Sequence, residues 1–230
     1  MVKIEDIRLM LFSSVENIAT QHGFKQRKQA QSGGLIKITK PITICVGWSI
    51  LDYGETKKFL GMSALICHNE VREITLPILK KYRLMGASAS IKDWSPTFHP
   101  PEGIPKISLN ELSFQSLNEI EFIKEIYPDF ILFKALPYFE KWGSLLSVYD
   151  YIKDKSEDWE IGLGQFLHYE KAVIMRLCND KNYQDYFYEY YKSKEMYHLN
   201  DPTNEDCLVY LNAAKEMLDQ LDEIKPIYNL

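Results

Sequence analysis

The chain has 230 residues, of which 46% are hydrophobic and 26% are charged. This composition excludes a disordered or fibrous protein, and the length suits one large domain or two small ones. The net charge of −5 argues against non-specific binding of nucleic acid, because proteins that bind it in this way are usually basic.

Four cysteines, Cys45, Cys67, Cys178 and Cys207, are scattered through the sequence without a Cys-x-x-Cys pair. Cys45 and Cys67 lie in apolar strand-like runs, and Cys178 and Cys207 lie in helical ones. Such contexts are typical of small buried side chains in a reducing compartment. The N-terminus has acidic residues where a signal peptide would need an apolar run, and no stretch approaches the roughly 20 apolar residues of a membrane span. We therefore predict a cytoplasmic protein without membrane contact.

Helical spacing of apolar residues begins near the N-terminus. It predicts an amphipathic helix over residues 3–21. Gly23 is expected to end this helix, because glycine readily adopts the left-handed conformation of a helix C-cap. The stripe comprises Ile4, Ile7, Leu11, Val15 and Ile18.

Strict alternation of apolar with small or mildly polar residues predicts a strand at residues 41–52. One face is heavily apolar and needs cover, for which the neighbouring helices are the candidates. The other face is expected to be partly open to water or lightly covered. The apolar face consists of Ile42, Ile44, Val46, Trp48 and Ile50.

Further strands are predicted at residues 24–29, 35–40 and 59–68, with a bulge at Gly61. The turns between successive strands are so short that the strands must be antiparallel. Another strand is expected at residues 84–91.

Prolines complicate the sequence after these strands. Residues 71–82 have the apolar spacing of a short helix, yet Pro77 is expected to break or restrict it. Residues 94–106 contain four prolines, which predict a stiff connector and the best domain boundary in the chain.

From residue 113 onward the patterns are helical. The final helix is expected to start with Asp201 as N-cap and Pro202 at its first position, and to pack through Cys207, Leu211 and further apolar residues at four-three spacing. The preceding helices are predicted at residues 113–126, 128–142, 145–152, 164–177 and 183–199.

The predicted fold is therefore α+β: an N-terminal helix, an antiparallel sheet of four to six strands and an all-helical C-terminal half. The predicted domains are residues 1–106, the helix and sheet, and residues 107–230, a helical region that packs on the sheet or follows it. One continuous domain is the alternative.

Three parts of the sequence resemble a known family in their order: Gln-His-Gly-Phe-Lys at residues 21–25, the strands at 34–40 and 42–51, and the helical stretch 135–152. They resemble the bacterial family described as domain of unknown function 4304. The resemblance covers residues 3–155 and leaves out the later helices. The family has no established activity, and related small α+β proteins occur as immunity partners of secreted toxins. The resemblance implies a protein-binding role and assigns no catalytic residue.

No catalytic signature is present in the sequence. Gly162-Leu163-Gly164 lacks the context of a phosphate-binding loop, and there is no Gly-x-Ser-x-Gly nucleophile motif. We therefore expect no cofactor and no metal, and an enzyme is the less favoured reading. No two histidines are three or four residues apart, the spacing of metal ligands on a helix. They are His22, His68, His99, His168 and His198.

Two segments are candidates for partner binding. Residues 201–223 contain seven acidic residues against Lys215 alone, which indicates either a solvated helix face or a surface complementary to a basic partner. Aromatic residues on the proline-rich connector are either contact anchors or packed beneath the loop. The candidate residues are Trp94, Phe98, His99, Glu205, Asp206, Glu216 and Asp219.

The sequence thus predicts a non-enzymatic protein-interaction module, an immunity or antitoxin-like protein. Its expected partner is a protein, and in the more specific form of the hypothesis a basic toxin domain. Binding to nucleic acid or to a membrane is not expected. The alternative is a small-ligand-binding protein or an enzyme, with a pocket between sheet and helices near Trp48. A third hypothesis is a scaffold that dimerises through residues 203–222.

Overall fold

The computed structural model describes residues 2–86, 98–156 and 158–228. It confirms the α+β prediction: an N-terminal helix, an antiparallel sheet and a largely helical C-terminal half. Contacts divide the chain into two units, each made of two stretches. Unit 1 comprises Met1–Ile66 and Glu102–Gly143, and unit 2 comprises Cys67–Pro101 and Ser144–Leu230.

The helices and strands of the first part of the chain form the sheet and its cover. Helix α1 ends where Gly23 adopts the predicted left-handed conformation, with φ of 70°. The elements are α1 (Ile4–His22), β1 (Lys25–Lys28), β2 (Ser32–Ile38), β3 (Ile42–Tyr53), β4 (Thr56–His68), α2 (Asn69–Lys81) and β5 (Lys106–Phe114).

The remaining elements are helical. Helices α3 and α4 are joined by a π-helical turn, Ile131–Ala135, and a short 3₁₀ turn, Asn118–Ile120, precedes them. The helices are α3 (Ile123–Phe130), α4 (Leu136–Trp142), α5 (Leu145–Ile152), α6 (Asp158–Ile161), α7 (Leu167–Leu177), α8 (Tyr183–Asn200) and α9 (Glu205–Leu221).

The sheet has five strands in the described ranges, in the order β1-β2-β3-β4-β5. Each strand pairs with its neighbour in sequence. Short turns require this for β1 to β4, whereas residues 69–105, with helix α2, lie between β4 and β5. Leu35 on β2 lies opposite Val46 on β3, and Gly33 lies opposite Trp48. The pairing of β4 with β5 shifts register between Phe59 and Gly61, where a bulge was predicted, and the additional residues lie on β5 between Ser108 and Leu112.

Strand β5 was missed in the sequence, where residues 107–230 were expected to be helical. Its apolar residues alternate as Ile107 and Leu109, and then as Leu112 and Phe114. The alternation therefore changes phase within the strand, and the pairing with β4 changes register in the same region. A strand with such a phase change has no continuous period of two.

The core of unit 1 lies between the sheet and helices α1 and α3. Ile7, Leu11 and Val15 on α1 are buried, as are Ile123 and Tyr127 on α3. Val46, Trp48 and Ile50 on β3 are buried with them, and the Trp48 ring stacks on Phe59 with centroids 6.1 Å apart. The predicted apolar face of β3 is thus covered.

The opposite face of β3, expected to be partly open to water or lightly covered, is enclosed at one end. Thr43 and Cys45 are only 5% and 1% exposed, whereas Gly47 and Ser49 are half-buried. Side chains this small carry little information about how deeply they are buried, because they are tolerated in both environments.

Helix α2 contains Pro77 without being broken by it. A proline inside a helix costs about 3 kcal/mol. Val71, Ile78 and Leu79 are almost fully buried by this helix, and each contributes roughly 1.5–3 kcal/mol. The free energy gained by burying these side chains therefore exceeds the cost of Pro77. The strand predicted at residues 84–91 lies mostly outside the described residues, and residues 84–86 are not in a strand.

Helix α9 begins later than predicted. Its N-cap is Asn204, whose side-chain oxygen accepts hydrogen bonds from the backbone N–H groups of Asp206 (3.0 Å) and Cys207 (3.4 Å). Asp201 and Pro202 precede the helix. Asn and Asp are equally good N-caps, so residue type alone could not decide between the two positions.

In the described ranges, no helix has both the length and the apolar character needed to cross a membrane.

Gly34 and Gly47 face each other across β2 and β3 and provide a matched test of the sheet. Gly34 has φ of 150°, and an added Cβ would lie 2.1 Å from the Val46 carbonyl oxygen. At Gly47 the nearest atoms would be 3.7 Å away. Gly34→Ala should lower the free energy of unfolding by at least about 1–3 kcal/mol, whereas Gly47→Ala should change it by less than about 0.5 kcal/mol.

Urea unfolding followed by circular dichroism measures both effects. Equal stability of the two variants would contradict this register.

Candidate functional site

Helices α8 and α9 form a hairpin joined by four residues, so they are antiparallel and pack along each other. In α8 the buried residue is Phe187, and in α9 the first buried residue is Ala213. No residue from 188 to 212 is buried. Residues 188–212, the end of α8 and the beginning of α9, form the far half of the hairpin and contribute no buried side chain to a core.

The hairpin tip, defined as residues 196–210, has an apolar and aromatic surface. Five large hydrophobic side chains are exposed there, by between 37% and 71%. Single exposed hydrophobic residues are normal, whereas neighbouring ones mark an interaction surface; Met196 and Leu199 are such neighbours, one turn apart on α8. The five are Met196, Tyr197, Leu199, Leu208 and Tyr210.

The hairpin tip is also acidic. The sequence has no lysine or arginine between Lys194 and Lys215. Glu205 and Asp206 are exposed in the first turn of α9 and form no ion pair with any described residue. The positive end of the helix dipole stabilises acids at this position, and their charge remains available to a basic partner.

The two other acids predicted on α9 have partners inside unit 2. Glu216 forms an ion pair with Lys81 and accepts a hydrogen bond from the Tyr82 hydroxyl (2.9 Å). The hydrogen bond from Lys81 is the largest cause that lowers the pKa of Glu216. Asp219 pairs with Lys215 one turn away at 2.9 Å. The structure therefore separates Glu216 and Asp219 from the acids of the hairpin tip.

The predicted residues of the connector divide in a similar way. Phe98 is buried, with its ring edge-on to Tyr151 and the centroids 5.6 Å apart. His99 is exposed, and its backbone N–H donates to the Gly162 carbonyl oxygen (2.6 Å). Trp94 lies outside the described residues. The structure thus places Phe98 in packing and leaves His99 on the surface, on a different segment from the acids of α9.

A cavity near Trp48, where the alternative hypothesis expects a pocket, is present in unit 1. It is small, about 190 Å³ including its open mouth, whereas ligand pockets usually measure about 300–1,000 Å³. The Arg8 guanidinium at this cavity already contacts Glu5 (2.8 Å) and the Ala30 carbonyl oxygen (3.2 Å). The lining residues are Arg8, Phe12, Val15, Gln26, Arg27, Gly34, Leu35, Trp48 and Tyr127.

The titratable groups of the buried regions offer little nucleophilic chemistry. Burial raises the pKa of the Cys45 thiol to about 12, and that of Cys178 to about 12. Both therefore remain protonated at neutral pH, and a thiol is a poor nucleophile. Within the described part of the chain, no group of three or more His, Cys, Asp or Glu side chains could hold a metal ion.

The apolar residues of the hairpin tip were missed in the sequence analysis. Tyr197 lies two turns after Tyr190 on the same side of α8, whereas Met196 and Leu199 lie on another side of the helix, one turn from each other. The absence of lysine and arginine between Lys194 and Lys215 was the feature of the sequence that could have pointed to this segment. Exposure itself depends on where the neighbouring helices end, which the spacing of apolar residues does not show.

The Glu216–Lys81 pair makes stability depend on pH. A carboxyl whose pKa is lowered by folding stabilises the protein above its unfolded pKa, and this contribution is lost as the pH falls through the folded pKa. Glu216→Gln should therefore lower the urea midpoint at neutral pH but leave it unchanged in acid.

Asp219→Asn is the control, because the exposed pair with Lys215 is screened by water and should have little effect. A loss for Glu216→Gln that persists in acid would show that packing, rather than charge, is responsible.

Comparison with protein families, with curated proteins and with solved structures found no match for this chain. The resemblance to domain of unknown function 4304 therefore stays a prediction, and the hairpin tip is the surface from which a function can be argued.

Proposed function

We propose that the protein is a non-enzymatic interaction module that binds a basic protein through the hairpin tip. The observation that carries this proposal is the combination of exposed apolar side chains with acids that have no ion-pair partner, on a segment that adds nothing to a core. A surface of this kind gains free energy when a partner covers it.

The two kinds of residue have different roles in this proposal. Met196 and Leu199, which lie one turn apart on the same side of α8, are the contact centre, because burying a large apolar side chain contributes roughly 1.5–3 kcal/mol. Glu205 and Asp206 form an acidic border. Charges at the border of an interface mainly raise the association rate and reject partners of the wrong charge.

The partner is identified by its chemistry: an apolar groove with lysine and arginine around it. An immunity or antitoxin-like role fits this partner, since a basic toxin domain would offer that charge. A cytoplasmic location is part of the proposal. It is supported by four free cysteines, three of them buried, which suit a reducing compartment.

The test uses the full chain as bait in extracts of the native host, followed by affinity measurement with the purified captured protein. The double variant Met196→Glu with Leu199→Glu should weaken binding at least tenfold, because it places charge at the contact centre. Leu9→Glu is the matched control: Leu9 is 58% exposed on α1 and lies outside the hairpin tip. Circular dichroism checks that each variant is folded.

Charge is tested on the same complex. Glu205→Gln with Asp206→Asn should slow association with little change in dissociation, and added salt should slow association of the wild-type chain. Equal binding by the hairpin variant, binding that ignores salt, or a captured protein without a basic surface would contradict the proposal. So would self-association through the hairpin tip, measured by light scattering.

A further inference from the structure

Helix α8 has large apolar side chains on two sides. Phe187 marks the side that packs inside unit 2, where its ring lies edge-on to Tyr169 of α7 with the centroids 5.4 Å apart. Met196 follows two and a half turns later, so it points the opposite way. A helix that packs on one side normally has polar residues on the other. The second apolar side of α8 is therefore an unusual surface for a helix of a finished core.

This second side is built from two neighbouring rows of side chains, which together are called the outer face of α8. Residues four apart on a helix form such rows, and a groove separates one row from the next. Three large side chains of these rows, Tyr188, Met196 and Leu199, are 44%, 62% and 71% exposed. The first row is Tyr188, Lys192 and Met196, and the second is Tyr191, Glu195 and Leu199.

The polar groups in the middle of the outer face satisfy one another. The Lys192 ammonium forms an ion pair with Glu195 at 2.7 Å. It also lies over the Tyr188 and Tyr191 rings, 5.4 Å and 5.9 Å from their centroids. Covering a charge is costly unless that charge already has a partner. A second protein can therefore cover this face without removing water from an unpaired charge.

Acidic residues border the outer face on the side of its first row. Asp185 and Glu189 precede Tyr188 and Lys192 by three residues each, so they lie beside them on the helix. Both acids are exposed, and neither forms an ion pair with a residue in the described ranges. Acids in this position favour lysine or arginine on the opposing surface.

We propose that the outer face of α8 binds an amphipathic α-helix of the partner protein. Apolar side chains of that helix lie in the groove between the two rows, and its lysines or arginines lie beside Asp185 and Glu189. This inference rests on the proposed function, because it names the element that the basic partner contributes. It extends the contact surface from the hairpin tip back along α8 to residue 185.

A helix fits this face better than an extended segment does. Rows of side chains on one helix interdigitate with the grooves of another over several turns. Residues 185–199 span roughly 21 Å at a rise of about 1.5 Å per residue, which is the length of about four helical turns. An extended segment would need hydrogen-bond partners for its main chain, and the middle of a helix offers none.

Photo-cross-linking tests the identity of the bound element in the complex of the full chain with the captured basic protein. The photoreactive residue p-benzoylphenylalanine replaces Lys192 at the centre of the outer face. Mass spectrometry should find it joined to a partner segment with apolar residues three and four apart and flanking lysine or arginine. That segment should be protected from hydrogen exchange in the complex. The same replacement of Tyr53, which is 67% exposed on β3, should give no cross-link.

Substitutions on the outer face measure its contribution. Tyr188→Glu should weaken binding at least tenfold, because it places a charge in the contact. Tyr53→Glu is the matched control and should leave binding unchanged. Asp185→Lys with Glu189→Lys should slow association at least tenfold at low salt. Both acids are exposed, so this double variant also serves if Tyr188→Glu does not fold, which circular dichroism shows.

The results separate this inference from the proposed function. Weakened binding by Met196→Glu with Leu199→Glu, but unchanged binding by folded Tyr188→Glu and no cross-link from position 192, would overturn the inference and leave the proposed function in place. A cross-link to a partner segment with alternating apolar residues, typical of a strand, would do the same. Unchanged binding by all of these variants, or capture of no basic protein, would overturn both.

Discussion

The structure of unit 1 depends on covering one face of β3. Alternating apolar side chains make that face unfavourable in water, and buried residues of α1 and α3 cover it. Strands β1 to β4 follow in sequence order, because the short turns between them allow only antiparallel pairing. Tyr127 on α3 donates a hydrogen bond to the Val46 carbonyl oxygen (3.3 Å), so the cover is fixed by polar as well as apolar contacts. The cavity beside Trp48 is small because this packing is close.

In unit 2 the corresponding constraint is the burial of α7. This helix contacts α2, α5, α8 and α9, and its residues from Tyr169 to Met175 are all buried. A helix enclosed in this way has no face open to water, so every polar side chain on it must find a partner inside the protein. Lys171 finds a backbone carbonyl, whereas Glu170 and Arg72 satisfy each other only in part.

The hairpin of α8 and α9 shows the opposite arrangement. Its near half packs on α7 through Phe187 and Ala213, whereas its far half has no buried residue. Helices that extend beyond a core add little stability by packing, and apolar side chains on them are costly in water.

The sequence by itself determined the class of the fold, the first four strands, the cover by α1 and the positions of most helices, because these follow from local periodicity. Strand β5 was hidden by a change of phase in its alternation. The continuation of α2 through Pro77 depends on burial, and the N-cap at Asn204 could not be distinguished from Asp201 by residue type. The acids Glu205 and Asp206 could be named from charge alone, but their separation from Glu216 depends on Lys81, which is 135 residues away in the chain. Arg72 and Glu170 are separated by 98 residues. Only tertiary structure could bring these pairs together, because burial and hydrogen-bond satisfaction are properties of the packed chain and not of any segment.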